Sequence, residues 1–70
     1  MTHYTRADLQ LANRHVTEGE RLVIEQERRI TRLLLGGHTT DDAEELLVQL
    51  TNGLALHREH RDAIAAALNE

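Results

Sequence analysis

An all-α fold, an antiparallel two-helix hairpin, follows from three features of this 70-residue chain. It contains no Pro, so nothing breaks a helix from within. Two long stretches space their apolar residues in alternating steps of three and four, the pattern of a coiled-coil seam rather than of a strand. One Gly-Gly pair, Gly36-Gly37, lies between them.

The first helix is expected near residues 6–35. Thr5-Arg6-Ala7-Asp8 is a capping-box variant, with Thr5 as N-cap and Asp8 reaching back to its amide. Tyr4 and Leu9 flank that cap with the spacing of a hydrophobic staple. The seam then runs through Leu9, Ala12, Val16, Gly19, Val23, Gln26, Ile30 and Leu33. Leu35-Gly36-Gly37 is the stop, because a Gly past the last turn takes the left-handed conformation that closes a helix.

A turn at 36–39 leads to a second helix expected near 40–68. Thr39 or Thr40 caps it, and Asp41 and Asp42 suit the positive end of the helix dipole. Its seam is Ala43, Leu47, Leu50, Leu54, His57, Arg61, Ile64 and Leu68. Asn52-Gly53 is a turn-like dipeptide, yet the seam passes through it without slipping, which predicts one continuous helix. Each helix would be about 45 Å long at 1.5 Å per residue. Folding at the Gly-Gly turn is expected to set Ile30 against Leu47, Val23 against Leu54, Gly19 against His57 and Val16 against Arg61.

A single seam leaves apolar groups outside. Leu22-Val23-Ile24, Leu33-Leu34-Leu35 and Leu46-Leu47-Val48 are unbroken apolar triplets, and Leu54 and Leu56 flank Ala55. Three neighbours on a helix cover ~200° of arc, wider than one partner helix can shield. A chain this short rarely stabilises itself with one core. The sequence therefore predicts that two hairpins pair into a homodimeric four-helix bundle, with Leu22, Ile24, Leu34, Leu46, Val48 and Leu56 in the interface.

Composition narrows the function. Eight Arg and no Lys stand against twelve acidic residues, a net charge of −4. The basic cluster Arg28, Arg29, Arg32 has Glu25 and Glu27 directly beside it, and a single aromatic residue offers little to stack on bases. Both observations argue against nucleic-acid binding. No apolar run approaches the ~20 residues of a membrane span, and no secretion signal opens the chain, so a cytoplasmic location is expected. There is no Ser, Cys or Lys to serve as a nucleophile, and Asp41-Asp42 and Glu44-Glu45 read as a dipole-matched helix start rather than catalytic carboxylates. A non-enzymatic protein is expected.

Chemistry has one candidate location. His15 and Glu18 are one turn apart on the first helix, as are His57 and His60 on the second, and the two pairs fall at similar heights. Such spacing could present zinc or iron ligands in a bundle, although the Glu-x-x-His repeat of dinuclear carboxylate bundles does not occur. The competing expectation is a polar layer with no cofactor, in which His57 and Arg61 bond Glu18 or Glu20 and set the register, as Gln26 would elsewhere in the seam.

The segments His15-Val16-Thr17-Glu18-Gly19-Glu20-Arg21, Ile30 through Leu33, Gly37, Ala43 with Leu46-Leu47, and Leu56-His57-Arg58-Glu59-His60-Arg61 together resemble a group of small uncharacterised proteobacterial helical-hairpin proteins. The resemblance implies a helical hairpin and supplies no activity. Taken together, these features predict a structural or interaction protein that scaffolds or modulates another bacterial protein. The alternatives are a regulatory module of the antitoxin or anti-sigma kind, its apolar stripe covered by a different protein, and a metal-binding bundle built on His15, Glu18, His57 and His60.

Overall fold

The computed structural model describes residues 3–69 and consists of two helices, α1 (Arg6–Leu35) and α2 (Asp41–Leu68), packed as a hairpin. Its start is the expected capping box. Thr5 Oγ1 accepts from the Asp8 amide at 3.2 Å, and Asp8 Oδ2 accepts from the Thr5 amide at 2.8 Å. No described residue of α2 departs from helix at Asn52-Gly53, so the dipeptide does not break it.

α1 ends in a Schellman motif. The His38 amide donates to the Leu33 carbonyl at 2.9 Å, and the Gly37 amide to the Leu34 carbonyl at 3.1 Å. Gly37 carries the positive φ, +75°, that this closure requires. α2 begins less formally. Thr40 occupies the N-cap position, but its side chain makes no capping bond, and Asp41, Asp42 and Glu44 fill the first turn instead. Their carboxylates lie where the helix dipole favours negative charge.

All eight expected seam positions of α1 are buried or half-buried, and so are those of α2 except His57. Ala12, Val16, Leu54 and Ile64 form the fully buried apolar core among the described residues. Gln26 is buried with them, and its Nε2 donates across the seam to the Ala43 carbonyl at 2.9 Å. That bond satisfies the amide and ties one helix to a fixed height on the other.

The axial register differs from the expected one by about one helical turn. Gly19 was expected opposite His57, but it packs against Leu54: a Cβ built there would lie 3.0 Å from Leu54 Cδ1. The reason is the turn. The Schellman closure reverses the chain at Gly36-Gly37 itself, whereas the expected register centred the reversal nearer the second helix. Shifting by a turn keeps the same residues in the seam, so the faces were right while the pairings were not. Leu54 fills the space over Gly19, and His57 is left exposed at the seam edge.

Candidate functional site

Two flanks border the seam, and helical spacing assigns residues to each. Side chains that precede a seam position, such as His15, Leu22 and Arg29 on α1 and Leu46, Gly53 and His60 on α2, share one flank. Side chains that follow a seam position, such as Glu20 and Leu34 on α1 and Arg58 on α2, share the other. The structure agrees: Leu22 and Leu46 line one surface groove together, and Arg58 Nη2 reaches Glu20 Oε2 at 3.3 Å on the opposite side.

The first flank carries apolar groups along its length. Along it lie Leu11, Leu22, Leu46 and, one turn beyond Gly53, Leu56; Leu11 and Leu56 are 51% and 67% exposed. Midway, an open notch is lined by His15, Leu22, Leu50, Gly53 and His57. Nothing lies within 4 Å of where a Cβ on Gly53 would sit, so this glycine forms an unfilled part of the notch. Of the six residues expected in an interface, Leu22, Leu46 and Leu56 lie on this flank. Ile24, Leu34 and Val48 are exposed on the other, so no single flat contact covers all six.

Glu18 lines the notch with His15 and His57, yet the four candidate ligands do not form one set. His15 and His57 meet, with ring centroids 5.2 Å apart and planes tilted by 51°. His60 instead places its ring edge-on to Tyr4, with centroids 6.1 Å apart. Glu18 is held by Arg21, which donates to it through Nε at 3.0 Å and through Nη2, and also bonds Glu25. These bonds, reinforced by the charge, hold the Glu18 carboxyl below the usual carboxylate range and push the Arg21 guanidinium higher still. Among the described residues no group of three or more His, Asp or Glu side chains is placed to hold a metal.

The expected polar layer is also rearranged. Arg61 bonds its neighbour Asp62 through Nε at 2.9 Å instead of crossing the seam, and neither Glu18 nor Glu20 bonds His57. The one-turn shift moves His57 and Arg61 away from Glu20, which Arg58 holds instead, while Glu18 stays beside His57 in the notch but is held by Arg21. Gln26 makes the buried polar bond that ties the two helices in register, and its position in the seam was the signal for it.

At the turn end, Arg28, Arg29 and Arg32 make no ion pair among the described residues. Arg29 and Arg32 border the groove shared by Leu22 and Leu46. The first turn of α2, with Asp41, Asp42 and Glu44, lies at the same end. Among the described residues no helix is long and apolar enough to cross a membrane. No protein family, curated protein or solved structure matches this chain.

Proposed function

We propose that this chain is a non-enzymatic interaction protein that pairs with a second copy through the flank bearing Leu11, Leu22, Leu46 and Leu56. The product is a four-helix bundle that scaffolds or modulates another protein. The observation that carries this reading is the amount of large apolar surface left on an ordered hairpin: Leu11, Ile24, Leu34, Leu35, Leu46, Val48 and Leu56 are each 44–85% exposed. Surface of that kind marks association sites. Scale supports a second copy as the cover. The Cα outline of one face, about 53 Å by 16 Å, has room for the ~800 Å² per partner of a standard stable interface only if covered along its full length, as a second copy would cover it. The other flank, with Ile24, Leu34 and Val48 among charged residues, is then the surface on which the bundle meets a different protein.

Paired charge insertions test this. Leu22→Arg with Leu46→Arg should convert the chain to monomers in size-exclusion chromatography with light scattering. Ile24→Arg with Val48→Arg should leave the oligomer intact. The reverse pattern would contradict the assignment of flanks.

A further inference from the structure

We propose that His15 and His57 are half of a zinc-class metal site, completed by the same two residues of a second copy. This rests on the homodimer reading and goes beyond it by naming a ligand, a stoichiometry and a bundle orientation.

The geometry comes first. Two imidazoles bound to one tetrahedral zinc at 2.0–2.1 Å have ring centroids about 5 Å apart. The rings of His15 and His57 are 5.2 Å apart and come from facing helices, so the hairpin backbone already sets the spacing. Both rings are also uncommitted. Neither makes a hydrogen bond among the described residues, whereas Glu18 is held by Arg21, and His60 packs against Tyr4.

One hairpin supplies only two ligands, and no third donor completes the set among the described residues. Zinc in a structural site takes four, and neutral imidazoles suit zinc, copper or nickel. A two-fold axis doubles two donors into four. Both histidines are exposed, and both line the notch on the flank assigned to the second copy.

Charge selects the orientation that brings the pairs together. With the axis along the bundle, both turns lie at one end, and α1 of one copy runs beside α2 of the other. Arg29 and Arg32, which make no ion pair among the described residues, then approach the acidic first turn of the second copy's α2. The two histidine pairs also fall at one height. With the axis across the bundle and ends aligned, the pairs would sit roughly 15 Å apart at 1.5 Å per residue, and no shared site could form.

Native mass spectrometry of tag-free, chelator-stripped protein titrated with zinc acetate tests the inference. The expected species is two chains with one zinc. His15→Leu and His57→Leu should each weaken zinc binding by more than the roughly 10–100-fold lost with an outer-shell partner. His60→Leu and Glu18→Gln should retain it. Circular dichroism checks that each variant folds, and His57→Gln replaces His57→Leu if the latter does not. A dimer that takes no zinc, takes one zinc per chain, or keeps zinc after loss of His57 overturns the shared site and leaves the homodimer standing. A chain that stays monomeric with and without zinc overturns both. Dimerisation that requires zinc supports the site and makes the metal the clasp.

Discussion

At the residue scale, the two glycines inside the helices have opposite surroundings. A Cβ on Gly19 would press on the buried Leu54 side chain at 3.0 Å, while one on Gly53 would meet nothing. Gly inside a helix costs about 1 kcal/mol relative to Ala. Gly53→Ala should therefore raise unfolding stability by about 0.5–1 kcal/mol. Gly19→Ala should recover less of that, and Gly19→Val should lose about 1–3 kcal/mol through overpacking. Urea denaturation at one fixed chain concentration compares them. Gln26 makes a second contrast. Its buried amide bonds the Ala43 carbonyl, so truncation to Ala should cost about 1–3 kcal/mol through a lost bond and a void. Gln26→Leu, which fills the volume without the polar group, should stay within about 1 kcal/mol of the parent. A loss as large as that of the Ala variant would show that the hydrogen bond itself dominates.

At the scale of elements, the two helices are started differently. α1 has a complete capping box; α2 has acidic residues and no side-chain cap. Thr5→Ala should lower stability by about 1 kcal/mol, and Thr40→Ala should change it by only a few tenths. Thermal melts followed by circular dichroism distinguish the two. Much of this was legible in the sequence. The Thr5–Asp8 spacing gave the α1 start, Gly36-Gly37 its stop, and the 3-4 alternation named nearly every side chain in the seam. The axial register was not legible. An apolar repeat of about 3.5 residues is nearly invariant to a slide of one turn, and only the Schellman closure decides where the chain reverses. That one-turn difference moved His57 and Arg61 away from Glu20, which Arg58 holds instead. The four-residue cluster of His15, Glu18, His57 and His60 fails for a different reason: Arg21 holds Glu18 and His60 packs on Tyr4, leaving the His15–His57 pair.

For the whole molecule, the shape argues for association. The radius of gyration is 16.0 Å, against about 11 Å for a compact domain of this length. A rod two helices thick has little interior, which is why so few side chains are fully buried. The apolar triplets announced that surplus in the sequence. Their division between two flanks could be seen only once the hairpin was assembled, because it depends on which side of the seam each triplet overhangs. Both helices contribute to the exposed apolar surface, α1 through Leu11, Ile24, Leu34 and Leu35 and α2 through Leu46, Val48 and Leu56.

Sedimentation equilibrium of the tag-free chain over a range of micromolar concentrations measures the central claim most directly. The account predicts a species of about 16 kDa, twice the 8.0 kDa of one chain, with helicity retained and dissociation only on dilution or on charge insertion at Leu22 and Leu46. A fully helical 8.0 kDa monomer at every concentration, with and without zinc, would contradict it.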